Sequence, residues 1–370
     1  MSFLRNAIEL PLQTELLTLA TKLEETPELA YEETQTVEIW TQFARRYKLR
    51  ITHGLQGHAP IISFGEFQHA RIKIVVTADL DAIQLTKDGP IGHFCGHHAQ
   101  SVHALGLAAM LAKSTPVLSH DIALRIVGCP AEECRPSYDN NYPLPFIPGK
   151  SKLLQEGWFD GATAVLSTHL DNDQPRRQIH LIKGSSGGIW LRTYINARNR
   201  RPQWTTFAEE TTTTLLSCYK SQFQSIVQSV KTHSTLHYMD IWIETKPNDS
   251  AINADLLAAG LIHITSDCLR TDVNLVAKYH PLWHDQILLK QAKRVLRTWD
   301  SSVKIEETDS VQGATDLGEV SMQRSTLQIF VGGTTGTTHD PGFKVVDPVF
   351  SYLWPVIFLK AMVEEITKLT

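Results

Sequence analysis

The chain has no surplus of positive charge: 35 Lys and Arg against 39 Asp and Glu leave a net charge of -4. Nucleic acid and anionic membrane surfaces call for a basic field, so neither is an expected partner. Also missing is any apolar run of about 18 residues, the length that spans a bilayer. Residues 1–10 include Arg5 and Glu9 and have no apolar core of the secretory type, so a cytoplasmic location is expected. Cysteine is scarce: five, an odd number at irregular spacings, argue against a disulfide framework. A reducing compartment is the simplest reading, and it leaves thiolates able to bind metal. No internal repeat is present, and the threonine run at 211–214 is too short to count as low-complexity.

What is present fits a large folded protein. A chain of 370 residues exceeds the usual size of one core, so two domains are the default. Residues 12–23 and 34–47 read as helices, and 71–77 as a buried β-branched strand. Residues 101–113 are apolar almost all round, as in a helix buried in a large core. Further strands are expected at 122–127, 163–167 and 327–331. This alternation predicts an α/β fold, a mostly parallel sheet flanked by helices. The glycine- and serine-rich stretch 183–188 is the best hinge. Beyond it, strands at 189–195, 239–245 and 261–266 and a helix at 215–230 predict a smaller inserted α+β domain. A helix at 284–299 returns the chain to the main sheet. The expected division is therefore 1–187 and 280–370 for the larger domain and 188–279 for the insertion.

Polar clusters follow four of the expected strands: Asp79 and Asp81, then Cys129 to Glu133, then Thr168 and His169, then Thr338 to Asp340. The loop before the buried helix adds His93, Cys95, His97 and His98. In open α/β sheets the carboxyl ends of strands form the ligand crevice. Histidine, thiolate and carboxylate converging there are the donors expected for zinc or a similar metal. Taken singly, each has a plainer reading. His169 alone suits a hydrogen-bonded structural histidine, Glu132-Glu133 a solvated loop, and Cys95 a small buried hydrophobe. Their conjunction is what points to a metal site.

Several strings carry a family resemblance. Residues 26–34 (Thr-Pro-Glu-Leu-Ala-Tyr-Glu-Glu-Thr), Ala78-Asp79-Leu80-Asp81-Ala82, His93-Phe94-Cys95-Gly96-His97-His98 and Pro130-Ala131-Glu132-Glu133 are the main ones. Gly149-Lys150, Glu156-Gly157 and residues 313–321 join them. Together they resemble the amidohydrolase branch of the aminoacylase/carboxypeptidase metallopeptidases, which includes hippurate, indole-acetyl-amino-acid and p-aminobenzoyl-glutamate hydrolases. The resemblance implies a di-metal catalytic domain with an inserted lid and dimerisation domain. It implies metal ligands at Cys95, His97, Glu133, His169 and His339. Cys95 would bridge two divalent ions, expected to be Zn2+ or Mn2+, with His97 and His169 on one and Glu133 and His339 on the other. Glu132 is implied as general acid/base and Asp81 as a carboxylate that orients the cluster. A homodimer paired through the lid is implied as well.

Departures from the family pattern are specific. His98 stands where the branch has Asp, and Gln100 where it has His. His98 is either a structural substitute or a change in charge near the metals. The lid histidine that serves the oxyanion is absent from 195–202, which carries Arg198, Arg200 and Arg201 instead. Those arginines read as a solvated face or as substitute anion binders, and His233, His237 and His263 are alternative replacements. The leading expectation is a metallohydrolase that cleaves the amide bond of an N-acyl amino acid, dipeptide-like or aryl-amide substrate. A repurposed di-metal enzyme performing condensation, amide formation or C–C bond chemistry is the alternative. A non-catalytic metal-binding scaffold is the third reading, disfavoured because Glu132 is present without being an expected ligand.

Overall fold

The computed structural model of the protein describes residues 7–113, 121–134, 144–194, 212–219, 223, 226–234, 238–246, 254–269, 271–299 and 303–368. The strands in chain order begin with β1 (Arg50–Gly54), β2 (Ala59–Phe64) and β3 (Ile72–Asp79). The short pair β4 (Ile83–Gln84) and β5 (Ile91–Gly92) precedes β6 (Ile122–Cys129), β7 (Ala164–Leu170) and β8 (Gln178–Ser185). Next come β9 (Gly188–Tyr194), β10 (Val227–Ser234), β11 (Tyr238–Thr245) and β12 (Val273–Tyr279). The last long strands are β13 (Lys304–Val311) and β14 (Thr326–Val331).

Eight strands form the main sheet in the order β1-β2-β6-β3-β7-β14-β8-β13. The central run β6-β3-β7-β14 is parallel, as the sequence predicts. Both of its faces are covered, which explains the near-continuous apolar runs. In β3, Ile72, Ile74 and Val76 join one core with the helices Leu10–Glu24, Thr34–Arg46, His97–Lys113 and Trp354–Thr367, whereas Val75 faces a second core with Phe159 and Leu317. Alternation in β6 follows the same rule, with Leu124 and Ile126 on one side and Ala123 and Val127 on the other.

Strand β8 meets β14 over only two residue pairs, Phe330 with His180 and Val331 with Ile179. Where the two diverge, the buried His284 side chain closes the gap. Its Nδ1 donates to Ile182 O at 2.8 Å and its Nε2 accepts the Gln328 N–H at 3.1 Å. Burial holds this ring neutral and lowers its pKa to about 4.

The chain leaves the main sheet at Ser185 and re-enters order at Gly188, so the glycine-rich stretch is a short connection between sheets. A Cβ on Gly187 would lie 2.7 Å from Tyr279 O and 2.8 Å from Pro281 Cδ, so only glycine lets the outgoing and returning segments pass this closely. Between them lies a four-stranded antiparallel sheet of order β10-β11-β9-β12. The helix Ala254–Leu269 and the helical residues 212–219 cover one face of it, sharing a core with Ile189, Leu191, Ile241 and Ile243.

Two expectations in this region fail. Residues 261–266 are not a strand but part of the Ala254–Leu269 helix. Leu257, Ala258, Leu261 and Ile264 all enter the core, the helical spacing that a six-residue window misses. Of the helix expected over 215–230, residues 215–219 and 223 are helical among those described, and Val227–Ser234 is strand β10.

Candidate metal centre

Strands β6, β3, β7 and β14 are neighbours running the same way, so their carboxyl ends deliver Glu132-Glu133, Asp81, His169 and the loop to His339 to one edge of the sheet. The helix His97–Lys113 starts at the same edge and brings Cys95 and His97. Gly96 makes the preceding turn at φ 78°, and a Cβ there would meet Leu170 Cδ1 at 2.9 Å.

Three groups of donor atoms result, each with its atoms within 4.8 Å of one another. Cys95, His97 and His169 form one; Cys95, Glu133 and His339 form a second; His97, Glu132 and Glu133 form a third. The first two share Cys95 Sγ. All five residues named from the sequence as ligands thus lie together, with Glu132 among them.

The hydrogen bonds prepare these atoms for a cation. His97 Nδ1 donates to Asp81, 3.1 Å from its carbonyl and 3.2 Å from Oδ1, which leaves the Nε2 lone pair buried with no protein partner. His169 Nδ1 donates to Leu170 O at 2.7 Å, and its Nε2 lies 3.5 Å from Cys95 Sγ. Glu133 Oε1 sits 2.8 Å from His339 Nε2. Lone pairs held towards a common point by a bond on the far nitrogen are the usual arrangement of metal-binding histidines. The donor set therefore fits one or two soft-to-borderline dications.

Electrostatics separates the two adjacent glutamates. Burial works against ionising Glu133, but the charges of His339 and His97 outweigh it and hold the carboxyl at about 2. Glu132 is pushed well above the carboxylate range, by burial first and then by the Glu133 charge. Its Oε2 is 4.0 Å from His97 Nε2. Burial would also raise the Cys95 thiol, yet His97, His169 and His339 bring it well below its ordinary value. One carboxylate ready to bind and one ready to carry a proton is the division that acid/base chemistry requires.

Asp81 grips both sides of the cluster, since its Oδ2 also accepts the Glu133 N–H at 2.8 Å. His98, by contrast, turns into the core, with Nε2 2.9 Å from Tyr352 Oη, and belongs to none of the three donor groups. Gln100 is structural too: its amide carbonyl accepts the Asp79 N–H and its NH2 donates to Asp79 Oδ2, each at 3.1 Å.

Three supports went unread in the sequence. Lys150, fully buried, bonds Asp79 and also Asp316, the latter at 2.5 Å, tying the end of β3 to the 313–321 stretch. Glu33 accepts the Ala131 N–H at 2.8 Å, steadying a residue at φ 56° just before Glu132. Tyr279 Oη donates to Glu132 O at 3.0 Å and thereby fastens the smaller sheet to the loop that carries Glu132 and Glu133. Each depends on partners at least 71 positions away, and the short matches at 26–34, Lys150 and 313–321 were the hints to them.

A cavity of about 750 Å³ opens over the cluster between the two sheets. Trp190, Trp242, Tyr279 and Phe330 supply much of its apolar wall, and Lys231 and His233 reach it from β10. His263 is exposed on its helix, 3.5 Å from Asp267. Arg198, Arg200, Arg201 and His237 lie outside the described residues. Among the described residues no helix is long and apolar enough to cross a membrane.

No protein-family model matches the chain. Over 169 residues it is 22% identical to thermostable carboxypeptidase 2 of Saccharolobus solfataricus, covering 43% of this chain and 40% of that protein. Over 181 residues it is 24% identical to N-acetylcysteine deacetylase of Bacillus subtilis, covering 46% of this chain and 44% of that protein. The chain thus spans less than half the length of these curated relatives. A solved Bacillus subtilis dinuclear metal-binding peptidase shares the fold with a TM-score of 0.66 at 15% identity, over 95% of this chain and 98% of that one. The chain is thus similar over less than half its length to a carboxypeptidase and a deacetylase, and it shares the fold of a dinuclear metal-binding peptidase.

Proposed function

We propose that the protein is a metal-dependent amidohydrolase acting on an N-acyl amino acid, dipeptide-like or aryl-amide substrate. The observation that carries this reading is the pair of donor groups sharing Cys95 Sγ, with Glu132, whose proton affinity is raised, beside them. Cys95 would be shared by two divalent ions, with His97 and His169 to hold one and Glu133 and His339 the other. Zinc suits this mix of thiolate, imidazole and carboxylate best, with manganese the alternative. When bound, the ions supply Lewis-acid polarisation of the scissile carbonyl and activation of water. Glu132 takes the proton from the attacking water and delivers it to the leaving amine. Asp81 keeps His97 in the tautomer that presents Nε2. The apolar cavity wall excludes water and accepts the acyl or aryl group, while Lys231 faces a substrate carboxylate. His233, rather than His263, is the donor that the smaller sheet offers to a developing oxyanion.

The relatives named as a carboxypeptidase and a deacetylase, and a structural neighbour named as an amidase, describe cleavage of C–N bonds and do not favour a condensing or scaffold role. Residues 188–279 act as lid and as the pairing surface of a homodimer, where β10 and β12 are the edge strands of the smaller sheet among the described residues. The deciding experiment combines metal analysis of the purified protein with a screen of N-acyl amino acids, dipeptides and aryl amides, with and without chelator. Close to two zinc or manganese ions per chain and chelator-sensitive amide cleavage are expected. Absence of metal after reconstitution, or turnover indifferent to chelator, rejects the reading. Light scattering that finds only monomer at micromolar concentration rejects the dimer.

A further inference from the structure

We propose that Cys218 and Cys268 are a redox-active dithiol that closes to a reversible disulfide across the helical layer of the smaller sheet. Their sulfurs lie 3.0 Å apart although both are reduced. A disulfide bond is about 2.05 Å long, so roughly 1 Å of closure, within reach of side-chain rotation, separates the thiols from the bond. The two helical segments that carry them are already fixed against each other. Leu215 and Tyr219 share a core with Leu257, Leu261 and Ile264, and Tyr219 Oη hydrogen-bonds Thr265 Oγ1 beside the cysteine pair.

Access and isolation set this pair apart from the other cysteines. Cys268 is exposed, whereas Cys95 and Cys129 are buried and Cys134 is held 3.1 Å from Tyr279 Oη. A low-molecular-weight disulfide such as oxidised glutathione is the co-reactant the site would take. Cys268, its proton lost to solvent, attacks one sulfur of the small disulfide and expels the other as thiolate. Cys218, likewise deprotonated, then attacks the Cys268 sulfur and expels the second thiolate. Both leaving thiolates take up protons. Two protein thiols are thereby oxidised while the small disulfide is reduced to two thiols. The cross-link would close a loop containing β10 and β11, the strands that bring Lys231, His233 and Trp242 to the cavity. It would therefore restrain one wall of the cavity from behind, without touching the metal-binding cluster.

The test treats the metal-loaded protein with excess oxidised glutathione, then denatures it in an alkylating reagent. Two of the five cysteines should be lost to alkylation, and proteolysis should yield a Cys218–Cys268 linked peptide that dithiothreitol releases. Cys268→Ser, a change at an exposed position, should keep its remaining thiols and form no link. Cys218→Ser should trap a glutathione adduct on Cys268. Five alkylatable cysteines after treatment, a stable adduct on Cys268 of the unaltered protein, or a link between two chains would each overturn the proposal.

Discussion

The two sheets line the same cavity by different physical means. On the larger sheet three of the five ligand-type residues are held by a second group: His97 by Asp81, His169 by Leu170 O, and the Glu133 backbone again by Asp81. Behind these lies the fully buried Asp79–Lys150–Asp316 cluster. On the smaller sheet, Lys231 and His233 are exposed on a strand face, and the buried polar anchor is the Arg192–Asp240 pair at 2.7 and 3.1 Å. Metal ligation tolerates no more than tenths of an ångström of error, so residues placed to ligate are over-determined. A cavity wall needs only shape and charge, and its residues are left freer.

The largest expected effect separates the proton carrier from the ligands. Glu132→Gln should lower turnover by about 10²–10⁴-fold with metal content retained, because only the proton transfer is lost. His97→Ala and Glu133→Ala should instead lower the metal content itself. Equal metal loss in all three, measured by elemental analysis, would show that Glu132 is a ligand. Next comes stability. Lys150→Met leaves Asp79 and Asp316 buried without a cation, and losing one partner of such a cluster costs about 3–5 kcal/mol. Urea unfolding should show it; a midpoint shift no larger than that of an exposed-lysine variant would mean that both carboxyls simply protonate.

These effects track what the sequence made legible. Cys95, His97, Glu132, Glu133, His169 and His339 stood out as clustered donor types whose roles the family resemblance implied, and the structure brings their donor atoms together. The parallel core was readable because strands buried on both faces are apolar throughout. Strand β13 was not, since Lys304–Val311 is the polar edge of the sheet and has no apolar pattern to betray it. The Ala254–Leu269 helix was misread in part because its Leu261–Ile264 stretch looks β-like over a short window. Lys150, Glu33 and His284 act through partners 44 to 166 positions away, and no local pattern encodes such pairings.

His284 sharpens the comparison through pH. Its folded pKa of about 4 lies below the ordinary 6.5. Between those values the unfolded chain binds the extra proton, so stability falls as pH drops from 6.5 towards 4. The slope for one such group is about 1.4 kcal/mol per pH unit. His284→Gln should flatten the decline in urea midpoint between about pH 7 and 5, at the expense of some stability at neutral pH. Parallel curves for the two proteins would show that the ring titrates freely and that β8 and β14 are held by something else.

The smallest effect belongs to the smaller sheet. Lys231 is exposed and lines the cavity, so removing it should leave the fold within about 0.5 kcal/mol of the unaltered protein. Exposed charge pairs contribute up to about 1 kcal/mol, which corresponds to roughly fivefold in affinity. Lys231→Ala should therefore raise KM by up to about fivefold for a substrate that carries a carboxylate, with turnover nearly unchanged. An uncharged aryl amide should show no such rise, and added salt should narrow the gap between the two substrates. An equal rise in KM for charged and uncharged amides would mean that Lys231 contributes surface alone. Loss of turnover by about 10²-fold, the scale of a missing oxyanion donor, would mean that the wall reaches the reacting carbonyl. The contrast between a fixed site and a freer wall would then be wrong at this residue.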